Sequence, residues 1–255
     1  MPQPTQSPMT DAAWRSLYRL GAATALAATV LFLSDVIVLT SGLPMIASAG
    51  DWFTLVQEDR LAGILQLFFT DLAGLALLIP FVLGLYAALR RASPAYSALA
   101  AAAAAMGIGI VFATNSNYSL IYLNNQYAGA TTGMQKAQIL AAGESLFTAG
   151  SWGTGYLMAG LLIEGGLAGF SVVMLRSGLF GKGVAWLGIL GHGLDFIHSV
   201  ALLVFIPLFG PGPASTIGIP LLAVGGTLQL VWYPLAARRL LQLGRAEGKS
   251  PRRGI

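Results

Sequence analysis

Six long apolar stretches, separated by short clusters of charged, proline and glycine residues, set the rhythm of this sequence. They cover Leu17 to Thr40, Leu61 to Leu89, Tyr96 to Leu123, Trp152 to Leu175, Val184 to Phe209 and Ile217 to Leu241. Each reaches the roughly 20 residues that a helix needs to cross the hydrocarbon core of a bilayer. The expectation is an all-α fold: a polytopic six-helix transmembrane bundle over residues 14–243, with a disordered tail at 1–13 and a basic tail at 244–255. Ala47-Ser48-Ala49 resembles a signal-peptidase site. The apolar run before it is well beyond the roughly 7 to 15 residues of a signal core, so it reads as a retained helix.

The polar connections carry their own signals. Asp51 is placed to cap a short helix beginning at Trp52, and Thr132 and Gln135 stand at capping-box spacing ahead of a second helix too polar to cross. Both are expected as short interfacial helices on the external side. FGPGPASTIGIP, without charge, reads as a tight turn before the last span. Pro80 and Pro234 fall inside spans and predict local kinks. Ala100 to Ala105, the Gly165 and Gly169 pair, and Gly225-Gly226 predict faces where helices approach closely.

Composition agrees with the pattern, because 56% hydrophobic and 9% charged residues is far from a soluble domain, where about a quarter are charged. The net charge of +4 would ordinarily raise the question of nucleic acid. Topology accounts for it instead. Alternating the connections gathers Arg15, Arg19, Arg90, Arg91, Arg176, Lys182, Arg238, Arg239, Arg245, Lys249, Arg252 and Arg253 on one side and leaves Arg60 and Lys136 on the other. Basic flanks mark the cytoplasmic face, so both termini are expected there, with the lipid bilayer and not a nucleic acid as partner. Cysteine is absent, and neither a nucleophile motif nor a phosphate loop is present, so no cofactor is implied.

Candidate chemistry rests on acids inside the spans. At about 1.5 Å per residue, Asp71, Glu164 and Asp195 fall near mid-membrane and Asp35 nearer the external face. A carboxylate at the bilayer centre costs about 2.5–3.5 kcal/mol on insertion scales, so these side chains are expected to face inward. Every Lys and Arg lies at a span end, which leaves protonation, a shared proton, a histidine or a bound cation to neutralise them.

GILGHGLDFIHSV, from residue 188, places Asp195 three residues from both His192 and His198. Three helical positions turn the chain by about 60°, so Asp195 lies beside each histidine, while the histidines are too far apart to chelate one metal unaided. An Asp195–His198 hydrogen bond facing Glu164 is the expected unit, either an interhelical tie or a working carboxylate–imidazole pair. Asp35, Gln66, Asp71, Asn115, Asn117 and Tyr118, with His192, are the ligand-binding candidates and point to a cavity reached from the external half.

Binding of a hydrophobic small molecule or lipid is the first functional expectation. An intramembrane isomerase- or cyclase-type enzyme is the alternative, with Glu164 or Asp195 as general acid and His198 as base on an isoprenoid-like or lipid substrate. A proton- or cation-coupled transporter is the third, although the chain has no clear internal repeat.

SNYSLIYLNNQYAGATTGMQKAQILAAGESL from residue 116 and VVMLRSGLFGKGVAWLGILGHGLD from residue 172 carry a family likeness. It lies in the Ser-Asn end of the third span, Gln126-Tyr127-Ala128, Thr131-Thr132, Ala142-Gly143-Glu144 and Leu175-Arg176-Ser177-Gly178. In these features the chain resembles the bacterial membrane proteins grouped as domain of unknown function 4386. The resemblance implies a six-helix fold in the bacterial plasma membrane and brings no activity with it. Asp195 is similar to the family pattern, whereas His192 and His198 depart from it.

Overall fold

A computed structural model describes residues 9–43, 46–67 and 69–245. Among these residues there are helices and no strands. In chain order they are α1 (Met9–Thr40), α2 (Ala49–Glu58), α3 (Arg60–Leu65), α4 (Phe69–Leu89), α5 (Pro94–Thr114), α6 (Asn117–Gly129), α7 (Gly133–Trp152), α8 (Thr154–Ser177), α9 (Lys182–Phe209) and α10 (Pro211–Arg245). Six segments are long and apolar enough to cross a membrane, and their crossing helices are α1, α4, α5, α8, α9 and α10. The protein is a multi-pass membrane protein.

Helix α1 packs on α4 and α10, α5 on α8, and both α8 and α10 on α9. The core between them is built from Phe81, Leu85, Leu167, Phe170, Trp232 and Leu240, all essentially inaccessible. Two glycines permit the α5–α8 contact. A Cβ on Gly166 would stand 2.7 Å from the Ala100 carbonyl oxygen, and one on Gly107 2.8 Å from that of Ala159. Close approach was expected at Gly165 and Gly169; helical phase moves it to Gly166, while Gly165 faces the Phe196 ring.

The four shorter helices cap one end of the bundle. Trp52 and Phe53 of α2 and Leu120 of α6 are buried together with Leu67, and α2 also lies against α7. Thr132 and Gln135 form the full capping box at the start of α7. For α2 the cap is Ser48, not Asp51: the Ser48 hydroxyl accepts from Asp51 N, and the Asp51 carboxylate reaches back to Ala47 N. Asp51 therefore stands inside the first turn, where negative charge suits the helix dipole.

Three boundaries differ from the hydrophobic pattern. The third span stops at Thr114, because Asn115 and Ser116 leave helical geometry and the chain restarts as α6. The second span breaks at Gln66 and Leu67, so Asp71 lies in the first turn of α4 and not at its middle. Only the start of FGPGPASTIGIP is a tight turn: Gly210, at φ +79°, reverses the chain and the rest is helix, with α10 beginning at Pro211. Proline is compatible with a first helical turn because its missing N–H would have had no partner there. Helix α1 starts at Met9, within the stretch expected as a tail; residues 1–8 and 246–255 of the two tails lie outside the described residues.

The other end carries Arg90, Arg176 and Arg239. Arg90 lies 4.2 Å from the centre of the Trp14 ring, Arg176 5.9 Å from that of Tyr96, and the Arg239 Nε donates to the Leu179 carbonyl. Gly178, at φ +67°, closes α8 by donating its N–H to the Met174 carbonyl, a left-handed cap that a side chain would strain.

Candidate functional site

The acids and amides of the bundle separate into two groups. The first is a clamp at mid-helix depth between α8, α9 and α10. His192 Nδ1 and Glu164 Oε2 share a hydrogen bond of 2.7 Å. Gln229 Nε2 donates to the same Glu164 oxygen at 3.0 Å and to Asp195 Oδ2 at 2.6 Å. One carboxamide thus uses both of its N–H groups to bind carboxylates from two helices. His192 is fully inaccessible, edge-on to Trp232 at 4.7 Å and to Tyr233 at 5.8 Å.

Glycine makes the space for this group. A Cβ on Gly225 would fall onto the Asp195 carboxylate, and Gly191 lies against Gln229. Gly188 leaves room for Ser171 and the Trp232 indole. These glycines let α9 and α10 approach closely enough for short polar side chains to meet.

His198 is not part of the clamp. Asp195 takes Gln229, and no hydrogen bond joins Asp195 to His198; the His198 ring instead lies against Gly218 of α10. The expected Asp195–His198 unit is therefore corrected to Glu164–His192 and Asp195–Gln229. Spacing on one helix brought Asp195 beside both histidines in angle, but the partners were decided by what α8 and α10 present to α9. Gln229, the residue that joins the two halves, was missed, although a lone amide in VGGTLQLVWYP was a readable signal.

The second group surrounds a cavity of about 410 Å³ under the cap, between the end of α1, the start of α4, the α5–α6 break and the start of α8. Gln66, Asp71, Asn115 and Asn117 line it, together with Tyr156. Leu72, Val111, Leu120, Phe147 and the buried Trp52 supply apolar wall. Asn117 is held in place by donating from Nδ2 to the Leu67 carbonyl at 2.7 Å, and Asn115 Oδ1 accepts from Asn117 N at 3.1 Å. Trp52 is fixed by its Nε1 donating to the Gly63 carbonyl at 2.7 Å.

Asp35 stands behind this wall. The Thr70 hydroxyl donates to Asp35 Oδ1, Oδ2 has no hydrogen-bond partner, and the carboxyl is within electrostatic reach of Asp71. Tyr118 does not line the cavity: it is 78% exposed and packs edge-on to Phe69, because the helix break at Asn115 turns α6 away. Tyr156 and Trp52 were missed, since neither stands out from ordinary interfacial aromatics in the sequence.

Chemically the groups differ. The clamp's acids bond to an imidazole and an amide, and neither Glu164 nor His192 lines the cavity. The cavity offers one carboxyl, amides and a phenol to whatever occupies it. Among the described residues no three His, Cys, Asp or Glu side chains are arranged to hold a metal ion.

A family model described as domain of unknown function (DUF4386) matches residues 16–233. The chain belongs to this family. The match spans both the clamp and the cavity, so both groups lie within the DUF4386 region. No curated protein and no solved structure matches the chain.

Proposed function

We propose that this DUF4386 protein binds a hydrophobic small molecule or lipid in the cavity under its cap, from a bacterial plasma membrane in which both termini are cytoplasmic. The cavity itself carries the reading. Its volume of about 410 Å³ lies within the range of small-molecule sites, and such sites combine apolar walls with a few polar groups that orient the ligand. Here the apolar wall is Leu72, Val111, Leu120 and Phe147, and the orienting groups are Asp71, Asn115 and Tyr156. Acid–base catalysis by Glu164, Asp195 and His198 has less support, because the two acids are engaged with His192 and Gln229 and His198 is apart from them.

Filling the void tests the binding. Thr114→Trp places an indole among the lining residues, and it should abolish saturable binding of a fatty-alcohol probe by the protein in nanodiscs while leaving it folded. Unchanged binding would refute the proposal. The orientation rests on the twelve-to-two split of basic residues between alternate connections. The chain has no cysteine, so an impermeant thiol reagent should label Thr131→Cys and not Ser93→Cys in intact cells. The opposite pattern would invert the topology.

A further inference from the structure

We infer that the ligand of this cavity is a lipophilic cation, a class that narrows the binding reading above and rests on it. Among the described residues lining the cavity, Asp71 is the one Asp or Glu, and none is Lys, Arg or His. A second carboxyl, Asp35, stands close enough to act on it electrostatically, with one oxygen unpaired in a buried residue. Two carboxyls, Asp71 and Asp35, thus stand at or behind the cavity wall, and no base is among its lining residues.

A carboxyl in an apolar site can be neutral by holding a proton or by holding a cation. Asp71 lies in the first turn of α4, where the free N–H groups of the helix favour the ionised carboxylate over its protonated form. The remaining wall fits the same occupant. Trp52, Phe147 and Tyr156 bring aromatic rings to the void, and aromatic faces attract cations more strongly once water is excluded. Asn115 and Gln66 add polar groups to the wall. A cation would pair with the Asp71 carboxylate, which would repel the charged group of an anionic amphiphile.

Two ions of nearly equal size and shape and opposite charge decide the matter. Tetraphenylphosphonium and tetraphenylborate, with neutral triphenylphosphine oxide alongside, are titrated into the full chain in zwitterionic nanodiscs, and binding to empty nanodiscs is subtracted. The phosphonium should bind saturably and more tightly than the neutral compound, and the borate should not bind. Asp71→Asn should weaken the phosphonium by roughly thirtyfold or more, as expected for removing one partner of a desolvated charge pair. It should change the neutral probe little, and Asp71→Glu should keep the charge preference. Should Asp71→Asn not fold, the wild-type comparison of the two ions still decides. Equal or tighter binding of the neutral compound or the borate, or phosphonium binding indifferent to Asp71→Asn, would overturn the inference and leave the cavity reading standing. Binding of none of the three probes would remove the cavity reading as well.

Discussion

Glu164 and Asp71 are both carboxylic acids carried into an apolar bundle, yet their surroundings have little in common. Glu164 meets an imidazole at 2.7 Å and a carboxamide at 3.0 Å, each from a different helix. Asp71 meets a void. A polar side chain in a membrane protein faces inward in either case, so depth and residue type do not tell the two apart. What distinguishes them is whether neighbouring helices bring complementary groups. Where they do, the acid ties helices together; where they leave space, it is available to a ligand.

The comparison can be broken most forcefully at the clamp. Glu164→Leu removes the acceptor shared by His192 and Gln229 and should lower the unfolding free energy in detergent by on the order of 3 kcal/mol, as for other buried pairs that lose one partner. Retained stability would make the clamp ornamental. A somewhat smaller loss is expected from Gly225→Ala, whose methyl would collide with the Asp195 carboxylate, at about 1–3 kcal/mol for an overpacked site. Its neighbour Gly226 has nothing within 4 Å of a Cβ, so Gly226→Ala should be neutral or slightly stabilising. Similar losses at both glycines would contradict the packing described.

Subtler still is the pairing. A double-mutant cycle on Glu164→Ala and His192→Ala should give a coupling of about 1–2 kcal/mol, the upper part of the range for interhelical hydrogen bonds in membranes. The same cycle on Asp195 and His198 should be additive, and the reverse result would restore the pairing that the sequence alone favoured. The smallest effect belongs to Asp71→Asn, which faces the cavity and should alter stability by less than about 0.5 kcal/mol, as a substitution outside packed networks does.

The six crossings and the Thr132 capping box were legible because each depends on chemistry local to one segment: apolar length in the first case, residue spacing in the second. The helix breaks at Gln66 and Asn115 were not, since the apolar pattern runs through both. The site was half legible. Gln66, Asp71, Asn115 and Asn117 were identifiable as inward-facing polar residues, and they do surround one cavity. The choice of His192 over His198 was not, because both stand at the same spacing from Asp195 and the decision is made by Glu164 on α8 and Gln229 on α10. Contacts between helices depend on relative rotation, which a single sequence does not carry.

The central claim is that the cavity receives a ligand and the clamp does not, and two buried tryptophans report on the two places. Trp52 lines the cavity, while Trp232 packs against His192 in the clamp. Both are essentially inaccessible from the surface, at 1% and 0%. Variants keeping only one of these tryptophans, the other four replaced by Phe, would be titrated in nanodiscs with a brominated fatty alcohol, whose bromine quenches indole fluorescence at contact. Saturable quenching of Trp52 with Trp232 unaffected is the predicted result. Equal quenching of both, or none at Trp52, would contradict the division of the bundle into a closed clamp and an open cavity.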